Sequence, residues 1–271
     1  DSWYKYHEEI QKTFAGFPSA QAAAEEAVLN IWSQKHTISM SDFFGGYQES
    51  CPVMISIGIK NEKETIDDIQ KRLNEGFKII KLKCGLDVES DISRTKKARS
   101  VIPAHCRLIL DANQGYSLKD AKKLLNTFNR SEVDLIEQPV DRKDLDGLRQ
   151  LHKMNTIPVV ADESVVSIDD AYHLLTNDYV SGVNIKLMKC GGPINFLQIF
   201  YLAKRLNKTI MLGCMYETNI SITTGAHLAL GLPIDYVDLD SAHLDFYDDP
   251  TTGGAKIEDG IIRIDDKLVI K

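Results

Sequence analysis

Short apolar runs alternate with longer amphipathic stretches along most of the chain. The runs are rich in Val, Ile and Leu and lack a clean alternation of apolar and polar positions, as is typical of parallel strands buried on both faces. The longer stretches repeat apolar residues at helical spacing. This pattern predicts eight strands, at 53–59, 78–83, 106–113, 133–139, 157–164, 182–189, 209–215 and 235–240.

Helices are predicted between successive strands, at 64–77, 87–102, 117–129, 145–154, 167–177, 194–207 and 220–232. Strand–helix repetition with right-handed crossovers gives a parallel sheet. Eight such units predict an α/β protein with a closed (β/α)8 barrel of the TIM type rather than an open sheet. No G-x-G-x-x-G segment follows a strand, which argues against a dinucleotide-binding fold.

The two ends of the chain lie outside this alternation. Residues 1–50 include a helical run at 19–34, and residues 246–271 read as short β pieces. We therefore expect a barrel domain over 51–245 and a smaller α+β piece formed by the two ends.

Composition narrows the function classes. The 271 residues, of which 43% are hydrophobic, suffice for one large domain. The net charge of −7 leaves no basic face for nucleic acid, and no apolar stretch is long enough for a membrane span. The first ten residues lack the segments of a secretory signal. Five cysteines without a CxxC pair are expected to be reduced core residues, which favours a cytoplasmic protein.

Charged residues stand at the predicted carboxyl ends of seven successive strands. The active site of a (β/α)8 barrel lies at these ends. One such residue is readily explained as a satisfied or exposed charge, but the whole series favours a functional site. The series consists of Lys81, Lys83, Asp111, Glu137, Asp162, Glu163, Lys186, Glu217, Asp238 and Asp240.

Three of these acids lie on neighbouring strands. Asp111, Glu137 and Asp162 follow the third, fourth and fifth predicted strands, so their carboxylates can converge on one point. Three hard oxygen ligands suit Mg²⁺, which keeps its other positions for water and substrate. The sequence therefore predicts one Mg²⁺ per chain.

Two lysines are predicted to face each other across this metal. Lys83 and Lys186 end strands that lie four apart in the barrel. One lysine would remove the proton α to a metal-bound carboxylate, and the other would return a proton to the opposite face of the enediolate. This arrangement predicts racemisation or epimerisation by 1,1-proton transfer.

Lys81 shares a side of its strand with Lys83, because the two lie two residues apart. A second ammonium nearby lowers the pKa of a lysine, so Lys81 would keep Lys83 available as a base. The alternative is that Lys81 only pairs with a carboxylate of the metal site. Both roles are compatible.

Asp238 and Asp240 also share one face of their strand and are predicted to look toward the metal. A pair of carboxylates suits a cation, such as a free α-ammonium of the substrate. A dipeptide spans the barrel mouth better than a single amino acid. Met215 and Glu217, which follow the seventh predicted strand, are further candidate substrate contacts.

The order and spacing of the strand-end motifs resemble the enolase superfamily, in its muconate-lactonizing-enzyme-like subgroup. The motifs are KLK (81–83), DANQGY (111–116), IEQP (136–139), ADES (161–164), NIK (184–186) followed by CGG, and GCMYET (213–218). The resemblance implies that Lys83 and Lys186 are the acid/base pair and that Asp111, Glu137 and Asp162 bind Mg²⁺. It also implies that Asn113 and Glu163 contact the metal ligands and hold them in position without binding the metal themselves.

The segment DLDS (238–241) is similar to the D-x-D motif of the dipeptide epimerases of this subgroup. These include the epimerases that act on L-Ala-D/L-Glu. The resemblance thus implies an isomerase, a dipeptide epimerase serving cell-wall peptide breakdown. Members of the family also carry a sizeable N-terminal α+β capping domain that helps to choose the substrate. Residues 1–50 resemble only the helical C-terminal part of that domain, and 246–271 resemble the return of the chain to it after the barrel, so the identity of the dipeptide is left open.

Two other functions are weighed against this one. An o-succinylbenzoate synthase or N-succinylamino acid racemase would use the same lysines and metal, but Asp238 and Asp240 would repel a succinyl carboxylate. A non-catalytic binding barrel would be expected to have lost a lysine or a metal ligand, and all are present. The sequence leaves open whether the chain forms a homo-oligomer.

Overall fold

The computed structural model describes residues 2–244 and 246–271. Its helices are α1 Trp3–Thr13, α2 Pro18–His36, α3 Met40–Phe44, α4 Glu62–Asn74, α5 Val88–Val101, α6 Leu118–Thr127, α7 Leu145–Met154, α8 Ile168–Thr176, α9 Leu187–Cys190, α10 Pro193–Arg205, α11 Asn219–Gly231 and α12 Ser241–Leu244. Its strands are β1 Cys51–Pro52, β2 Ile55–Ile57, β3 Ile79–Lys83, β4 Arg107–Asp111, β5 Leu135–Glu137, β6 Val159–Ala161, β7 Gly182–Lys186, β8 Thr209–Gly213, β9 Tyr236–Asp238, β10 Thr251–Glu258 and β11 Ile261–Ile270.

Strands β2 to β9 form one parallel sheet in which the spatial order equals the chain order. The register sets Lys83 opposite Asp111 and Asp111 opposite Glu137, so the carboxyl ends of these strands lie level. Between β9 and β2 a backbone hydrogen bond, from the Met54 N–H to the Val237 carbonyl at 2.8 Å, nearly closes the ring. The predicted α/β barrel is therefore confirmed.

The barrel interior is layered because side chains alternate along a strand. An apolar layer lies inside the ring and consists of Met54, Ile79, Ile109, Leu135, Val160 and Met211. Two residues further along five of these six chain segments, the same face carries a polar side chain, and these are Ser56, Lys81, Asp111, Glu137 and Asp162. The apolar layer thus closes the floor beneath a polar layer at the carboxyl ends.

The predicted strands are all present but shorter than predicted, and the sixth differs in kind. The run 182–189 divides into β7, which ends at Lys186, and the short helix α9. Lys189 lies on this helix, where its ammonium donates hydrogen bonds to the backbone carbonyls of Asp162 and Asn184. These bonds fold the segment back over the end of the barrel.

The helices between the strands begin at polar caps. Side chains accept hydrogen bonds from backbone N–H groups of the first turn at five of them, which satisfies donors that have no partner within the helix. The capping residues are Asn61, Asp87, Ser117, Asp144 and Ser167.

The chain ends pack on one side of the barrel. Helices α1 to α3 precede it, and α2 contacts α9, α10 and α11. Strands β1, β11 and β10 form a separate antiparallel sheet that lies on α11. The end segments are thus helical at the start and β at the finish, as expected. The boundary predicted at Asp245 falls outside the described residues.

Two further expectations can be compared with the structure. All five cysteines are free thiols, and four of them are buried. Within residues 2–244 and 246–271, no helix combines the length and the apolar character that a membrane crossing requires.

Close packing of α3 on α11 depends on a glycine. A Cβ at Gly231 would lie 2.6 Å from the Phe44 Cβ and 2.8 Å from the Ser41 carbonyl oxygen. We expect Gly231→Ala to lower the free energy of unfolding by about 1–3 kcal/mol, because the helices must move apart. At Gly58 an added Cβ would meet no heavy atom within 4 Å. Gly58→Ala is therefore the control, and equal urea midpoints for the two variants would contradict the prediction.

Glu26 on α2 is buried, and its carboxyl accepts a hydrogen bond from the Ser221 hydroxyl at 2.9 Å. Burial raises the pKa of Glu26 to about 8, and the charges of Glu217 and Glu25 add to the effect. Because the folded pKa exceeds the unfolded one, this carboxyl contributes stability at low pH and loses that contribution as the pH rises toward 8.

We therefore expect Glu26→Gln to match the parent protein near pH 4.5 and to be more stable at pH 8. Gln keeps the acceptor for Ser221 but cannot ionise. The difference in unfolding free energy should grow by up to about 1.4 kcal/mol per pH unit across this window. Urea unfolding at several pH values measures it, with the exposed Glu49→Gln as control. A difference independent of pH would rule out the titration of Glu26 as the cause.

Candidate active site

A cavity of about 560 Å³ opens at the carboxyl ends of the barrel strands. Most of its lining comes from strand ends and from the segments that follow β8 and β9. The lining residues are Ser56, Gly58, Lys81, Lys83, Asn113, Lys186, Cys214, Met215, Tyr216, Asp238, Asp240, Ser241 and Leu244.

Lys81 lies at the base of this cavity and is 2% exposed. Its Nζ is 2.7 Å from Asp238 Oδ2, 2.8 Å from Glu137 Oε2 and 3.0 Å from Asp111 Oδ2. Burial opposes the charge, but the three carboxylates outweigh it and raise the pKa of Lys81 well above the usual value. These contacts favour the ammonium form of Lys81 and match the pairing role considered for it.

Lys83, at the end of β3, is partly exposed to the cavity. Its Nζ is 2.6 Å from Asp111 Oδ2 and 3.0 Å from Asn113 Oδ1. Asn113 has a positive φ of 40° and donates its side-chain amide to Glu163 Oε1 at 3.3 Å. The end of β4 and the loop after it therefore supply the partners that hold this amine at the mouth of the barrel.

Lys186 projects into the same cavity from β7, which lies four strands from β3 in the ring. Its Nζ is 2.9 Å from Asp162 Oδ2, and Lys189 contacts the other oxygen of that carboxylate. Burial opposes the charge on Lys186, but Asp162 and Glu137 raise its pKa above the usual value. The two ammonium groups outweigh burial at Asp162 and hold its pKa below the usual range.

The three predicted metal ligands end neighbouring strands and are at most 1% exposed: Asp111, Glu137 and Asp162. Burial and the charge of Asp111 raise the pKa of Glu137 to about 8, although Lys81 opposes this. Asn184 donates to Glu137 Oε1 at 2.7 Å, while Oε2 lies next to Lys81 without a well-directed hydrogen bond.

The donor set fits a hard divalent cation in its chemistry. Asp111 and Glu137 already share one cationic centre, the Lys81 ammonium. Lysine ammonium groups lie between the carboxylates. Within residues 2–244 and 246–271, no three acidic, His or Cys side chains lie close enough together to coordinate a metal ion as they stand. Carboxylate oxygens on adjacent strand ends are nevertheless the ligands that Mg²⁺ prefers.

Asp238 and Asp240 form an acidic wall of the cavity. Asp238 Oδ1 is buried and has no hydrogen-bond partner among the described residues. Asp240 Oδ2 accepts the Ser56 N–H at 2.7 Å across the seam between β9 and β2. Burial and the charge of Asp238 raise the pKa of Asp240 to about 6. Asp238 Oδ1 is therefore a buried carboxylate oxygen of this wall that lacks a hydrogen-bond partner among the described residues.

The two candidates after β8 differ in position. Met215 lines the cavity and is 49% exposed. Glu217 is buried, is not among the lining residues, and accepts the Met215 N–H at 2.7 Å. The structure thus places Glu217 against its own loop and outside the cavity lining, and its contact with substrate stays a prediction.

Among the cavity residues that sequence reasoning did not assign to the site are Ser56, Tyr216, Ser241 and Leu244. Ser56 had a usable signal, because it lies two residues after the inward-facing Met54. The other three follow strands as loop or short-helix residues and carry no comparable spacing signal.

The barrel fold and the charged strand ends point to one family of proteins, and comparison with known proteins finds the same family. The family described as "Enolase C-terminal domain-like" matches residues 64–268. The chain therefore belongs to this family, as its motifs implied.

Similar proteins and solved structures are named epimerases, which are isomerases. A hydrophobic dipeptide epimerase from Enterococcus faecalis is 36% identical over 256 residues, 94% of this chain and 72% of the relative. The structure of a dipeptide epimerase from that organism, complexed with Mg and L-Leu-L-Tyr, has a TM-score of 0.92 at 34% identity, with 97% of this chain and 75% of that chain covered.

A substrate-liganded structure of the L-Ala-D/L-Glu epimerase from Bacillus subtilis has a TM-score of 0.93 at 30% identity. That match covers 97% of this chain and 74% of the other. The similarity thus extends over nearly all of this chain and about three quarters of each relative.

Removing the Lys81 charge should expose how much the site depends on it. We expect Lys81→Met to lower the free energy of unfolding by about 3–5 kcal/mol, because Glu137 and Asp238 would be left buried without their ammonium partner. Lys83→Met, at a partly exposed position, should cost clearly less. Urea denaturation at pH 7 compares them, and equal losses would contradict a central role for Lys81.

Proposed function

We propose that this chain catalyses Mg²⁺-dependent epimerisation of a dipeptide by 1,1-proton transfer at the carbon α to the carboxylate. The observation that carries the proposal is the placement of Lys83 and Lys186. Their amines enter one cavity from strands four apart in an eight-stranded ring. A carbon atom between them can lose a proton to one wall and gain a proton from the other.

Asp111, Glu137 and Asp162 are the proposed ligands of Mg²⁺, with Asn113 and Glu163 supporting the loops that carry them. When bound there, Mg²⁺ would hold the substrate carboxylate and make the adjacent proton more acidic. Lys81 keeps Asp111 and Glu137 turned toward a shared point, since its ammonium contacts both.

In each direction of the reaction, one lysine begins as a neutral amine and the other begins as an ammonium. Lys186 is stabilised as an ammonium by Asp162, which suits a proton donor. Lys83, in its neutral state, then accepts the α-proton from the opposite face. In the reverse direction the two exchange roles. Lys81 is held protonated by three carboxylates and is therefore unsuited to act as a base.

Asp238 and Asp240 are the proposed partners of the substrate ammonium. The free Oδ1 of buried Asp238 provides an acceptor that gains from a cation. Met215, Tyr216 and Leu244 border the same cavity and would contact substrate side chains. These acids disfavour an N-succinyl substrate, whose extra carboxylate would be repelled. We also propose that 1–50 and 246–271 are parts of a capping domain.

Proton exchange in D₂O tests the function. We expect α-deuterium incorporation and epimerisation with a free dipeptide such as L-Leu-L-Tyr or L-Ala-L-Glu, in the presence of Mg²⁺ but not after its removal by EDTA. Lys83→Ala or Lys186→Ala should lower epimerisation by at least about 10³-fold, since each removes one acid/base partner.

Lys78→Ala is the matched control, because Lys78 is exposed and lies just before the opposite end of the strand that carries Lys83. Exchange of N-succinyl amino acids without exchange of free dipeptides would favour the racemase alternative. Absence of exchange with either class would favour a non-catalytic barrel.

A further inference from the structure

A buried polar network lies directly behind the strand end that carries Lys83. Its charged members are Asp91 and Arg94, both on the outer helix α5 and 2% and 3% exposed. Neither lines the cavity. Burying an ion pair costs desolvation free energy, which hydrophobic residues at these positions would avoid. The pair therefore calls for a role beyond stability.

Arg94 reaches from the helix to the backbone of the lysine. Its Nη2 donates to the Lys83 carbonyl oxygen at 2.5 Å and to Asp91 Oδ1 at 2.6 Å. The other terminal nitrogen, Nη1, is buried without a hydrogen-bond partner among the described residues. The guanidinium thus holds this carbonyl oxygen with Nη2, while its Nη1 donors are left unsatisfied.

Asp91 connects the same pair to two site loops. Its Oδ2 accepts the Gly85 N–H at 2.8 Å and the Tyr116 hydroxyl at 2.7 Å. Gly85 follows Lys83 by two residues, and Tyr116 ends the DANQGY segment that begins with Asp111. One carboxylate therefore ties the segment after β3 to the segment after β4.

The two segments also interlock at the backbone. Gly85 has a φ of +108°, and a Cβ there would lie 2.3 Å from the Ala112 carbonyl oxygen. A Cβ at Gly115 would lie 2.2 Å from the Gly85 carbonyl oxygen. With the backbones in such contact, the network holds the Lys83 main chain against the end of β4 and the following loop, which carry the Lys83 partners Asp111 and Asn113.

We propose that Arg94, fixed by Asp91 and Tyr116, is a positioning residue for Lys83 and sets its amine at the distance that proton transfer requires. This inference rests on the proposed function, in which Lys83 moves one of the two protons. It predicts an effect on one face of the substrate only, because the network's hydrogen bonds among the described residues reach the end of β3 and the segments after β3 and β4, whereas the ion pair of Lys186 is with Asp162.

Exchange of the substrate α-proton in variants that keep only one of the two acid/base lysines measures each face of the substrate separately. In Lys186→Ala protein, α-deuterium incorporation into a dipeptide epimer depends on Lys83. In Lys83→Ala protein it depends on Lys186. Each background is combined with Arg94→Met, and both dipeptide epimers are followed in D₂O with Mg²⁺ by NMR.

We expect Arg94→Met to slow Lys83-dependent exchange on the order of tenfold or more, because small displacements of a reacting group are costly. Lys186-dependent exchange should change less than about twofold. Arg94→Lys, which keeps a cation for Asp91, should recover part of the loss. Tyr116→Phe removes one hydroxyl and should give a smaller loss on the same face, which keeps the test open if Arg94→Met folds poorly.

Arg99→Met is the matched control. Arg99 lies on the same helix and also donates to backbone carbonyls, those of Ile102, Pro103 and Cys106, at the end remote from Lys83. It should leave both exchange rates unchanged. Equal losses on both faces, or no loss on the Lys83 face in either Arg94→Met or Tyr116→Phe, would overturn the positioning role alone. No exchange in either single-lysine background would instead refute the proposed function, and this inference with it.

Discussion

The Lys81 ammonium is the interaction around which the site is arranged. It lies within 3.0 Å of carboxylate oxygens from three different strand ends, those of Asp111, Glu137 and Asp238. Without a cation there, these acids would repel one another in a poorly hydrated environment. The central charge therefore permits a dense group of carboxylates at the barrel mouth and connects the predicted metal side of the site with the side proposed to bind the substrate ammonium.

The barrel geometry makes this arrangement possible. Alternation along five segments of the barrel puts an apolar residue on the inner face and a polar residue two positions later, and the parallel register brings the polar residues to one level. The floor of apolar side chains excludes water from below, which strengthens every electrostatic contact above it. Along these segments, the apolar floor and the polar residues of the site are therefore only two residues apart.

Groups outside the cavity hold its parts in place. Asp91 and Arg94 join the segments after β3 and β4, Lys189 ties α9 to the end of β6, and Asp240 bridges the seam between β9 and β2. Each uses a charged side chain to satisfy backbone groups at a point where the ladder of strand hydrogen bonds has ended. The rigid sheet alone would leave these loop segments less well defined.

The alternation of buried strands and amphipathic helices determined the barrel, and the period of two within strands determined which residues face inward. Both are local properties, so Lys81, Lys83, Asp111, Glu137 and Lys186 could be found in the chain without a structure. Tertiary structure alone decided that Lys81 binds three acids, that Glu217 turns toward its own loop, and that Arg94 reaches Lys83. Those contacts depend on how loops and helices pack once the ring has nearly closed. The spacing of residues within one strand or helix does not determine that packing.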